Sequence, residues 1–98
     1  MSFYLIAPKD VSKYVGHKKI LFVDIRDKDE YLAAHIEDAI YIPYEELEER
    51  AEMLKNYRML IIYCDRGNKS LLAARMLNNK GFRVGSIVGG FEACQLYL

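Results

Sequence analysis

Residues 59–64 read Met-Leu-Ile-Ile-Tyr-Cys, apolar without a break. A strand with one face in water alternates polar and apolar side chains. An unbroken run this short fits a strand covered on both faces, as in a parallel sheet between helices. Four more short runs rich in β-branched and aromatic residues have strand character: Phe3–Ile6, Ile20–Ile25, Ala39–Ile42 and Val84–Val88. Helical patterns fill the gaps. Pro8–Val15 begins with a proline suited to a first turn and ends at Gly16. Asp27 with Glu30 three residues on reads as a capping box. After Pro43, Tyr44, Leu47, Ala51 and Leu54 share one helix face, with Glu45, Glu46, Glu48 and Glu49 mainly on the other. A fourth helix over about 69–80 stops at Gly81, and a fifth follows Gly89-Gly90. This alternation predicts an α/β fold with a parallel sheet and helices on both faces. The 98 residues suffice for one domain, 1–98.

Composition excludes several function classes. Hydrophobic residues are 52% and charged residues 29% of the chain, the mix of a soluble globular protein rather than a disordered one. The formal net charge is zero, so broad binding to nucleic acid or to an anionic membrane is not expected. The eight tyrosines are scattered and make no stacking platform. No apolar run can span a bilayer, and the opening MSFYLIAPKD lacks the basic start and apolar stretch of a signal peptide. Cys64 and Cys94 are far apart and show no metal spacing. A reducing, cytoplasmic setting with Cys64 as a free thiol is the expectation, with no metal and no organic cofactor.

The chemistry concentrates in Cys64-Asp65-Arg66-Gly67-Asn68-Lys69-Ser70. Ligands of open parallel sheets sit beyond the carboxyl ends of the strands, where Cys64 falls. A tight strand–loop–helix turn converges backbone N–H groups into an anion nest, and the following helix adds the positive end of its dipole. Gly67 permits a positive φ or a close backbone approach. A thiolate at the base of such a cup is expected to be stabilised by these dipoles. Arg66 and Lys69 suit an anionic substrate, and Ser70 can bond the sulfur or cap the helix. These are the needs of a sulfur nucleophile that attacks an anion and then carries its charge.

The segment CDRGNKS resembles the active-site loop of the rhodanese family of sulfurtransferases, most closely its single-domain members. FVDIRDKDEYLAAHI, DAIYIP and GFRVGSIVGGFEA resemble other stretches of that family in the same order, so the likeness runs over about residues 3–95. The resemblance implies a five-stranded parallel sheet and a ping-pong mechanism. Cys64 is then the catalytic nucleophile, taking the outer sulfur of a small anionic donor such as thiosulfate and becoming a persulfide. The amides of Asp65, Arg66, Gly67, Asn68, Lys69 and Ser70 form the substrate-binding cradle. Cyanide in an assay, or a small or protein thiol in the cell, removes the sulfur. Three positions depart from the family pattern. Lys69 replaces a frequent arginine and loses its two-pronged grip on an oxyanion. Asp65 puts a negative charge beside the thiol, which predicts that dianionic thiosulfate is a poor donor. Asp38 stands at a turn that usually holds glycine, which aspartate tolerates at some cost.

Other residues have simpler readings. Asp24 and Arg26 are expected to form a structural ion pair, His35 a structural hydrogen bond, and His17 a surface loop. Cys94 is expected to pack in the last helix. A cysteine phosphatase needs an arginine where Ser70 stands, and its loop is one residue longer. A thiol–disulfide oxidoreductase needs a second cysteine where Gly67 stands. The remaining alternative is a rhodanese-fold binding or regulatory module with little turnover.

Overall fold

A computed structural model describes residues 3–98. Its strands are β1 (Tyr4–Ile6), β2 (Ile20–Asp24), β3 (Ile40–Tyr41), β4 (Met59–Tyr63) and β5 (Val84–Ile87). They form one five-stranded sheet in the order β1-β5-β4-β2-β3, and every neighbouring pair is parallel. The unbroken apolar run is the middle strand, and all of β4 is buried. It pairs with β2 from Ile20–Met59 to Asp24–Tyr63, and with β5 from Leu60–Val84 to Ile62–Ser86.

Four α-helices, α1 (Lys28–Ala33), α2 (Tyr44–Arg50), α3 (Asn68–Asn79) and α4 (Gly90–Cys94), cover the sheet. Successive side chains of a strand point to opposite faces, so β4 divides between two cores. Leu60 and Ile62 pack with Leu47 of α2 and with Ala73, Ala74 and Leu77 of α3. Ile61 and Tyr63 pack on the other face with Val11, Phe91 and Cys94. Cys64 continues the alternation and joins the α2/α3 side. Leu47, Ala51 and Leu54 are buried and the four glutamates around them are exposed, as the helical spacing predicts.

The elements are shorter than the sequence suggests, for local reasons. Pro8–Lys13 is a 3-10 helix rather than an α-helix through Val15, and Val11 is its single buried side chain. The segment after α2, Ala51–Leu54, is likewise 3-10, as is Gln95–Tyr97 after α4. β4 ends at Tyr63 because the Cys64 carbonyl accepts from the amide of Phe91, at 2.8 Å, instead of from a strand. Asp38 takes φ 66°, the left-handed conformation that a short polar side chain tolerates better than most.

Candidate active site

Cys64 lies at the carboxyl end of the central strand, where the chain leaves the sheet for α3. Gly67, at φ 100°, turns it. A β-carbon there would stand 3.1 Å from the amide nitrogen of Gly89, so the end of β5 passes against the loop. The turn brings two backbone N–H groups onto one sulfur: Gly67 donates to Cys64 Sγ at 3.2 Å and Ser70 at 3.4 Å. The Ser70 amide belongs to the first turn of α3, so the helix's positive end faces the sulfur. The Ser70 hydroxyl turns away from it. It donates to the Gly67 carbonyl at 3.3 Å and meets the Ser86 hydroxyl at 2.8 Å, both serines being buried. The side chain therefore braces the turn, and the backbone serves the sulfur.

A second element fixes the loop from the opposite face. The amides of Phe91 and Glu92 donate to the carbonyls of Cys64, at 2.8 Å, and Asp65, at 3.1 Å. This approach is possible because Gly90 has no side chain: a β-carbon would fall 2.5 Å from the Asp65 carbonyl. Arg26 backs this arrangement. It grips the buried Asp24 carboxylate through Nε and a terminal nitrogen, the latter at 2.7 Å. It also donates to the Glu30 and Ala34 carbonyls and lies over the Phe91 ring, 4.1 Å from its centroid. Burial opposes the guanidinium's charge, but the Asp24 hydrogen bonds and charge outweigh it and raise the pKa. The expected structural pair is present.

Above the sulfur is an open cavity of about 530 Å³, lined in part by Cys64, Asp65, Arg66, Asn68 and Lys69. Gly67 and Ser70, the remaining predicted site residues, contribute their amides beneath it. Arg66 reaches back to Glu92 at 3.3 Å, and Lys69 lies 5.6 Å from the centroid of the Tyr44 ring. α1 and its cap add Asp27 and Glu30 to the lining. A hydrogen bond with Asp65 raises the Glu30 pKa above the ordinary carboxylate value, with help from desolvation.

Sequence reasoning did not find Glu30, Glu92 or Ser86 in this neighbourhood. Each comes from a different element, and the only sequence signal was the Gly-Gly turn that lets Glu92 approach. His35 accompanies Tyr31 instead, stacked at 4.0 Å with Nδ1 near the Tyr31 carbonyl at 2.8 Å. Cys94 is buried in the core on the other side of the sheet from Cys64, and burial pushes its thiol pKa up. Among the described residues, no group of three or more His, Cys, Asp or Glu is placed to hold a metal, and no helix is long and apolar enough to cross a membrane.

The sequence profile of the Rhodanese-like domain matches residues 7–96. The chain belongs to the rhodanese-like family. It is 31% identical over 93 residues to the thiosulfate sulfurtransferase GlpE of Coxiella burnetii, covering 94% of this chain and 87% of that one. It is 38% identical over 81 residues to the putative sulfur carrier protein YrkF of Bacillus subtilis, covering 82% of this chain but 44% of that longer protein. The crystal structure of a rhodanese-related protein from Thermoplasma volcanium superposes with a TM-score of 0.84 at 25% identity, covering 94% of this chain and 90% of that one. The single-domain members are the part of the rhodanese family that this chain fits.

Proposed function

We propose that the chain is a sulfurtransferase that carries sulfane sulfur as a persulfide on Cys64. The supporting observation is the pair of amides, Gly67 and Ser70, directed at Cys64 Sγ at the base of an open cavity. Family membership supports sulfurtransferase-type chemistry in general, and the relatives' names agree with it.

In the first half-reaction the Cys64 thiolate attacks the outer sulfur of the donor along the donor's S–S bond. The new bond joins Sγ to that sulfur, and the old bond's electron pair leaves with the rest of the donor. From thiosulfate the leaving group is sulfite; from a hydropersulfide it is a thiolate. With thiosulfate the negative charge then rests on the terminal sulfur of Cys64–S–S⁻, and with a hydropersulfide that sulfur arrives as Cys64–S–SH and gives its proton to water; the charge lies close to the amides that held the thiolate, which stabilise it without moving. In the second half-reaction cyanide or a thiol attacks that terminal sulfur. It departs as thiocyanate or a new hydropersulfide, and the Cys64 thiolate returns. A reducing, cytoplasmic compartment suits a cycle that depends on free thiols.

The experiment is mass spectrometry of the protein after incubation with thiosulfate, 3-mercaptopyruvate or a polysulfide, with Cys64→Ser alongside. The expected result is one added sulfur on the wild type, removable by cyanide, and none on the variant. Undiminished transfer by Cys64→Ser overturns the assignment.

A further inference from the structure

The cavity changes electrostatic character between its floor and its rim. At the floor, amides and the start of α3 present positive ends of dipoles to the sulfur. At the rim acidic side chains outnumber basic ones, with Asp27, Glu30, Asp65 and Glu92 against Arg26, Arg66 and Lys69. Arg26 is already matched by the buried Asp24, and Arg66 by Glu92. Among the described residues lining the cavity, that leaves Asp27, Glu30 and Asp65 facing Lys69. With its carboxylates ionised, the rim is net negative. These carboxylates are not grouped to hold a metal.

Such a rim opposes a dianion, whose sulfonate oxygens would stand among carboxylates while its outer sulfur reached the floor. It favours a donor whose charge is reversed outside the reacting sulfur. From this, and resting on the persulfide reading above, we infer that the donor is a hydropersulfide of a thiol flanked by positive charge, with Glu30 and Asp65 as specificity-determining residues. The transfer is Cys64–S⁻ + R–S–SH → Cys64–S–SH + R–S⁻, where R carries one or more ammonium or guanidinium groups. The proton travels with the transferred sulfur, and no oxidant or reductant is consumed. The departing thiolate leaves beside its own cation, which offsets the rim carboxylates.

Two sources share this chemistry: a small aminothiol, and a cysteine between basic residues on a polypeptide. The test compares the hydropersulfides of cysteamine, of a lysine-cysteine-lysine peptide and of a glutamate-cysteine-glutamate peptide. Each rate of loading onto Cys64 is divided by the same donor's rate with a free small thiol, which removes intrinsic leaving-group differences. The lysine peptide is expected to load the wild type at least about tenfold faster than the glutamate peptide at low salt, with the preference shrinking as salt rises. It should fall several-fold in the double variant Glu30→Gln, Asp65→Asn, checked for folding by circular dichroism. The glutamine retains the capping geometry of α1. Equal loading by cysteamine and the lysine peptide supports the inference with a small-molecule source, and a peptide advantage supports it with a polypeptide source. Equal loading by the two peptides, or a preference the double variant keeps, overturns this inference alone. If no donor leaves cyanolysable sulfur on Cys64, the parent reading fails and this one with it.

Discussion

Glu30 and Asp65 approach one another from separate elements, and their closeness has a thermodynamic signature. Glu30 binds its proton more tightly in the folded chain than in the unfolded one, chiefly through its hydrogen bond with Asp65 and against the nearby Arg26 charge. The folded state therefore holds more protons in that range, and stability must fall as pH rises. The contribution is fully present below the ordinary glutamate value of 4.5 and is lost as pH climbs through the raised value. Glu30→Gln removes it. The stability difference between wild type and variant, followed by urea denaturation at several pH values, should move against the wild type as pH rises above the ordinary glutamate value of 4.5. A difference that is flat with pH would mean the two carboxyls do not interact in solution.

At the scale of elements, the sulfur turn is held by two anchors. One is the start of α4, whose amides bond the Cys64 and Asp65 carbonyls. Gly90→Ala sets a β-carbon against the Asp65 carbonyl at a residue with φ 66°, so the helix must back away. We expect a loss of about 1–3 kcal/mol together with slower sulfur loading, read by thermal denaturation and by cyanolysable sulfur on the same sample. A stable variant with normal loading would show that this contact is dispensable. The other anchor is Arg26, joining the end of β2 to α1 and to the Phe91 ring. Arg26→Met strands the buried Asp24 carboxylate and should cost about 3–5 kcal/mol. A loss of about 1 kcal/mol or less would mark it as no stronger than an exposed ion pair.

At the scale of the whole molecule, the sheet separates two cores, and the two cysteines fall on opposite sides. Cys94→Ala should leave sulfur loading on Cys64 unchanged and cost roughly 1 kcal/mol for the small void. Loss of loading in that variant would give Cys94 a part in the cycle. This layered plan was legible in the sequence because burial on both faces writes an unbroken apolar run at 59–64, and capping residues write their own spacing. Cys64 was legible for the same reason, since strand and glycine turn bracket it. The pairings around it were not. Arg66 with Glu92 and Glu30 with Asp65 join residues remote in sequence, and a charged residue alone gives no sign of where its side chain points. The Ser70 hydroxyl faces Ser86 and not the sulfur because β5 lies beside β4, an adjacency no local pattern records.

The peptide unit joining Cys64 to Asp65 is gripped by α4 while its sulfur is gripped by the turn into α3. On the proposed sulfur-carrier reading, the seat is thus finished at folding, and an arriving donor has no backbone to rearrange. The same grip makes the far side of the sheet mechanically answerable for the near side. Any ligand or modification that tugs on the last helix would be felt at the sulfur, although it never enters the cleft.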